Sequence, residues 1–163
     1  MQFKKEVQDL FREAGWYPGR DVKEKFNNIH RIEEFPDFVK EFLYEYGDLE
    51  VKTYKESDED AEGTLNFKAL CLGYFKIDNY LNSFAGYGEG IKTFPIAYYD
   101  LDNAALECDA EGKIYMSSDF PNLMSENFIE GIEKVIMEDY TNTVFWDESE
   151  NKWTTNEEEF GIE

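Results

Sequence analysis

Phe3, Val7, Leu10, Phe11 and Ala14 share one helical face while Lys4, Lys5, Glu6, Gln8, Asp9, Arg12 and Glu13 fill the other, a spacing that predicts a first amphipathic helix. Gly15 follows where a left-handed residue closes a helix, and Trp16 where an apolar side chain folds back on the last turn. Pro18-Gly19 predicts a turn, because proline presets one torsion and glycine accepts a positive one. Val22, Phe26 and Ile29 suggest a short second helix. Pro36 opens a third, with Phe38, Val39, Phe42, Leu43 and Tyr46 inward and Gly47 at its end.

From Leu49 the period shortens to two. Leu49, Val51 and Thr53 alternate with Glu50, Lys52 and Tyr54, and the polar stretch KESDEDAEGT separates this strand from a returning one at Leu65 and Phe67. Asp78 is placed to cap a helix with Tyr80, Leu81 and Phe84 on its face and Gly86, Gly88 and Gly90 at its end. Strands follow at Phe94 to Tyr99, Ala105 to Cys108 and Lys113 to Met116, with Glu111-Gly112 turning a hairpin. A last helix runs from about Glu126, with Phe128, Ile129, Ile132, Val135, Ile136 and Tyr140 inward and Ser125 or Asn127 as its cap. Helices first, then a meander of strands, then a helix predict an α+β fold, helices packed on a mainly antiparallel sheet. Residues 1–140 are expected to form this domain, and 141–163 an acidic extension with a hairpin around Asp147 to Lys152 and a frayed end.

The length of 163 residues suits one core, and 14 Phe, 11 Tyr and 3 Trp supply enough apolar area to argue against disorder despite the charge. The formal charge of −21 makes nucleic acid and anionic membrane improbable partners, since phosphates need a positive surface. It is unevenly spread: residues 1–55 carry 12 acids against 10 bases, and residues 56–163 carry 25 against 6. No run of eighteen apolar residues and no signal-like N-terminus occurs, so the chain is expected in the cytoplasm. Cys71 and Cys108 sit 37 positions apart among apolar residues and read as reduced core thiols. With His30 the only histidine, neither a metal nor a cofactor is expected.

No nucleophile or nucleotide motif is present, and GYGEG at Gly86 to Gly90 follows a helix where a phosphate cradle would open one. No catalytic residue is therefore assigned. His30 reads as a surface or helix-end residue. Among 37 acids, neighbouring pairs such as Glu107 and Asp109 arise by chance, and SDEDAEG lacks the twelve-position pattern of a calcium loop. Arg20 is the more distinctive cation, fixed beside a turn and suited to a partly buried ion pair or to an anionic ligand.

The stretch LFREAGWYPGR, Leu10 to Arg20, resembles the N-terminal helix and the Ala-Gly-Trp and Gly-Arg signature of the third subfamily of the SUKH superfamily, related more distantly to a yeast cell-wall synthesis regulator. FVKEFLYEYGDLEV from Phe38, FPIAYYD from Phe94 and DAEGKIYMSS from Asp109 resemble later family segments in the same order, over roughly residues 3–140. Ala97 stands where members often carry glycine, and the tail past Tyr140 has no counterpart. The resemblance implies a single SUKH-like domain acting as an immunity protein, without catalysis, by binding a cognate protein toxin; many such toxins are nucleases or nucleic-acid deaminases. A cationic substrate cleft is a natural match for an acidic sheet and its loops.

Candidate partner contacts are Asp58, Glu59, Asp60 and Glu62 in the first loop and Asp100 and Asp102 in the next, chosen because they flank strands. Gly15, Trp16, Pro18, Gly19 and Arg20 are the structural signature, with Trp16 expected to be buried against the helices and Arg20 paired to an acid of the sheet. A carboxylate-based glycosidase or carbohydrate-binding protein, and a general adaptor, are the alternative functions.

Overall fold

The computed structural model describes residues 2–82, 90–118 and 121–155. Helix α1 spans Lys5–Glu13, α2 Asp37–Tyr46, α3 Ile77–Leu81 and α4 Phe128–Ile136. The strands are β1 Glu50–Lys52, β2 Thr64–Asn66, β3 Phe94–Tyr99, β4 Ala104–Cys108, β5 Ile114–Ser117, β6 Asn122–Ser125, β7 Val144–Asp147 and β8 Lys152–Thr154. They form one sheet in the order of the chain, every neighbour antiparallel, and the helices lie against it. The α+β arrangement read from the sequence is thus the observed one.

The core lies between the helices and one face of the sheet. Register puts Val51 beside Leu65, Leu65 beside Tyr99 and Tyr99 beside Ala104, all buried. On the helical side Phe3 and Phe11 pack tilted or edge to face on Phe42 and Tyr46, which stack on each other, with Phe67 and Phe128 closing the cluster from the end of β2 and from α4. Gly131 lets α4 approach β5: a Cβ there would lie 2.4 Å from Ile114 Cβ.

The joint after α1 takes the predicted form. Gly15 is left-handed (φ 118), and the Trp16 N–H reaches back to the Phe11 carbonyl at 2.9 Å. Gly19 (φ 84) follows Pro18, and the Arg20 N–H donates to the Tyr17 carbonyl at 3.1 Å, closing the turn.

Several expectations need correction. Val22 to Ile29 form no α-helix; two single 3-10 turns, Lys23–Lys25 and Ile32–Glu34, stand in its place. Asn27 and Asn28 interrupt the pattern with poor helix formers, and Arg31 adopts a left-handed backbone (φ 62). Asp78 caps nothing: Lys76 holds the cap position of α3, and the Asp78 carboxylate accepts instead from His30 (2.9 Å) and Arg31 (3.0 Å). His30 is accordingly an exposed partner of Asp78 and no helix-end residue. Phe84, Gly86 and Gly88, expected on the face and end of that helix, lie outside the described residues. β6 has no counterpart in the sequence reading. The last helix stops at Ile136, capped by Asn127, whose side chain accepts from the Glu130 N–H, and Tyr140 is exposed, because the chain turns left-handed at Glu138 (φ 56). Cys108 is fully buried but Cys71 only partly so.

After residue 140 the chain forms β7 and β8, and β7 pairs with β6, so these strands continue the same sheet. Trp146 and Trp153 pack over Tyr115 on its outer face.

Candidate functional site

The meander decides which loops meet. β1 and β3 run in the same direction, so the β1–β2 loop and the β3–β4 turn leave the sheet at one end. The Tyr54 N–H donates to the Ile136 carbonyl at 2.8 Å, bringing the end of α4 to the same place. Two bonds fasten the loops together: Thr64 N–H donates to Asp100 Oδ1 at 2.8 Å, and Asp100 N–H to the Thr64 carbonyl at 3.2 Å. Gly63 is squeezed between them, since a Cβ would sit 2.7 Å from both Thr53 Oγ1 and the Tyr99 hydroxyl.

The six acids proposed from the sequence all lie at this end but do different things. Asp58 and Glu59 are exposed at the loop tip. Asp60 accepts from the Ser57 N–H (3.2 Å) and shapes the loop, while Glu62 makes an exposed ion pair with Lys52 (3.5 Å) that adds little stability. Asp100 is taken up by Thr64. Asp102 adds its charge near the Tyr140 phenol, whose hydroxyl donates to Glu138 Oε2 at 3.4 Å.

Between the loops and α4 lies a cavity of about 380 Å³, lined by Tyr54, Glu56, Asp60, Leu101, Met137 and Glu138 among others. Tyr54 (44% exposed), Leu101 (46%) and Tyr140 (38%) are large side chains left open to water around it. Glu138 is half-buried; Thr53 Oγ1 donates to its Oε1 at 3.0 Å, and the Tyr99 hydroxyl donates to the same oxygen. Burial pushes the Glu138 carboxyl above its ordinary pKa. The apolar residues and Glu138 escaped sequence reasoning: Tyr54 reads as the outward half of an alternation, and Glu138 as one more helical acid, until the helix is known to end at Ile136.

The signature residues form a separate structure at the junction of α1 and α2. Arg20 is buried and binds no carboxylate among the described residues, contrary to expectation. Its Nη1 donates to the carbonyls of Glu45 (2.6 Å) and Gly47 (2.8 Å), and Nη2 approaches that of Asp48 at 3.5 Å. The end of α2 supplies unsatisfied carbonyls and negative partial charge, so the guanidinium completes the helix there. Trp16 is half-buried, less than expected. Its ring stacks on Tyr46 (5.5 Å), Arg12 covers it at 4.9 Å, and the indole N–H donates to Glu45 at 3.0 Å. Burial pushes the Tyr46 phenol up to about 12. A groove of about 670 Å³ passes these residues, but the tryptophan faces are already spent on internal contacts.

A family model described as SUKH-3 immunity protein matches residues 3–138. The chain belongs to the SUKH-3 immunity protein family. No curated protein and no solved structure matches it. The matched stretch runs from the first core residue, Phe3, to Glu138 on the cavity wall, so the SUKH-3 region includes both the signature joint and the acidic loop end, while β7 and β8 lie beyond it. Among the described residues no cluster of three or more histidines, cysteines or carboxylates is arranged to hold a metal, and no helix is long and apolar enough to cross a membrane.

Proposed function

We propose that this protein is a cytoplasmic immunity protein whose acidic loop end covers the active region of a cognate toxin, a nuclease or nucleic-acid deaminase made by the same or a neighbouring cell. The observation that supports the reading is the composition of one end of the sheet: Asp58, Glu59, Asp60, Glu62, Asp100 and Asp102 lie on the two loops there, with Tyr54, Leu101 and Tyr140 exposed at the same end. Aromatic and aliphatic anchors inside a charged rim are the usual make-up of a protein interface, and the rim charge speeds encounter with a cationic partner. An enzyme that acts on nucleic acid has such a cationic cleft. Covering it excludes substrate without any chemistry by the inhibitor.

The test is co-expression with the toxin encoded beside this chain. Growth is expected to be rescued and a stable complex recovered, and the quadruple variant D58N/E59Q/D60N/D102N is expected to associate more slowly at low salt with less change at high salt. Failure to rescue growth from every neighbouring toxin would remove the reading.

A further inference from the structure

The cavity behind the acidic loops ends on a carboxylate whose charge is not neutralised. Glu138 is half-buried, and no lysine or arginine among the described residues comes within ion-pair distance of it; Thr53, Tyr99 and Tyr140 offer it only hydroxyls. Lys55 lines the wall and forms no ion pair with any described residue. Among the described residues Oε1 has two donors, whereas Oε2 has only the long contact from Tyr140 and keeps room to accept. Tyr54, Leu101 and Met137 give the walls an aromatic and aliphatic character, and Glu56 and Asp60 stand alongside.

These features ask for one kind of guest. It must bring positive charge to Oε2, present a flat or aliphatic body to Tyr54 and Leu101, and shed its water readily. A guanidinium does all three: it is planar, stacks on aromatic faces, donates in a fork and is more weakly hydrated than an ammonium. The cavity volume falls at the lower end of the range typical of small ligands, about 300 to 1,000 Å³, and suits a single side chain on its stem.

We infer that this cavity seats an arginine side chain presented by the bound toxin, its guanidinium held by Glu138 between Tyr54 and Leu101. The partner's being a toxin rests on the proposed function; the chemistry of the cavity does not. Glu138 is then the residue that selects the partner, and the loop acids serve mainly to bring it in.

The experiment uses the full chain and its Glu138→Gln variant. The amide keeps an oxygen to accept from Thr53 and Tyr99, and removing a charge that burial disfavours leaves the fold intact, checked by a thermal melt. Amide NMR spectra are recorded during titration with acetyl-Gly-Arg-Gly-amide, and with the lysine and norleucine counterparts. Saturable shifts at Tyr54, Leu101 and Glu138 are expected with the arginine peptide at millimolar concentration, with weaker shifts from lysine, none from norleucine and none in E138Q. Absence of shifts in the wild type up to about 50 mM, equal shifts from lysine or norleucine, or shifts retained in E138Q would overturn the inference.

A second arm measures affinity for the neighbouring toxin, where E138Q is expected to bind about 10- to 100-fold more weakly, as for truncating a desolvated interfacial charge. A toxin bound equally by both forms overturns the inference and leaves the proposed function standing. Arginine-peptide shifts without any toxin binding do the reverse.

Discussion

Replacing Arg20 by alanine tests whether the family signature is a structural joint. The buried guanidinium holds the carbonyls of Glu45 and Gly47 at 2.6 and 2.8 Å, while the 3.5 Å approach to Asp48 is too long to count. A hydrogen bond to a charged group contributes about 1.5 to 3 kcal/mol, so two give about 3 to 6. Burial of the cation works against this and lowers its own pKa, which favours the bottom of the range, about 3 kcal/mol. With a urea slope of about 2 kcal/mol/M, the unfolding midpoint should fall by about 1.5 M. Arg20→Lys should recover part of the loss, since one ammonium reaches one or two of the carbonyls but cannot span them as the fork does. Urea titrations followed by tryptophan fluorescence and by far-UV circular dichroism give the midpoints and check that both probes agree. A shift below about 0.3 M for Arg20→Ala would refute the reasoning, showing that water satisfies these carbonyls unaided.

Gly131→Ala places a methyl 2.4 Å from Ile114 Cβ, and overpacking between α4 and β5 should cost about 1 to 3 kcal/mol, read as a lowered Tm. Trp16→Phe keeps an aromatic ring on Tyr46 but loses the donor to Glu45, at a cost of about 1 kcal/mol by the same urea assay. Glu34, clasped by Arg31, has its carboxyl pulled down to about 2. Its contribution is therefore complete above about pH 4.5 and lost as pH falls towards 2, so the Tm difference between wild type and Glu34→Gln should shrink across that window. With residues 141–163 taken as an extension of a 1–140 domain, a chain ended at Tyr140 should still unfold cooperatively while uncovering Tyr115; loss of the cooperative transition would make β7 and β8 integral to the domain.

Where the pattern was dense, the sequence was enough. β3 begins and ends where its apolar run does, and α1 shows its boundaries because Gly15 marks the stop. The misreadings share a cause: a side chain whose role is set by something distant in the chain. Asp78 looked like a cap because capping is local, yet His30 and Arg31, almost fifty positions away, claimed its carboxylate. β6 is four residues between two loops, Asn122 to Ser125, and becomes a strand only because β5 and β7 pair with it on either side. Arg20 stands out in the sequence but its partners do not, because backbone carbonyls at a helix end leave no trace in composition. At the candidate site the acids are visible in the sequence and the cavity is not: its walls come from the β1–β2 loop, the β3–β4 turn and the two residues after α4, far apart in sequence and joined only by the meander.

The joint and the site are nevertheless connected, through one short strand. Arg20 fixes the carbonyls at the end of α2, Asp48 follows in a left-handed turn (φ 60) with its N–H on the Phe67 carbonyl, and Lys25 holds its carboxylate at 2.5 Å. β1 starts two residues later, and its continuation at Thr53 touches Gly63 and Glu138. A slip of one residue at the joint would exchange the two faces of β1, putting Lys52 where Val51 packs and withdrawing Thr53 from Glu138. The signature stretch thus acts on the candidate site from a distance. It sets the register of the strand that leads into the acidic loop, so a change in the glycines, the tryptophan or the arginine of the joint is carried through β1 to the cavity.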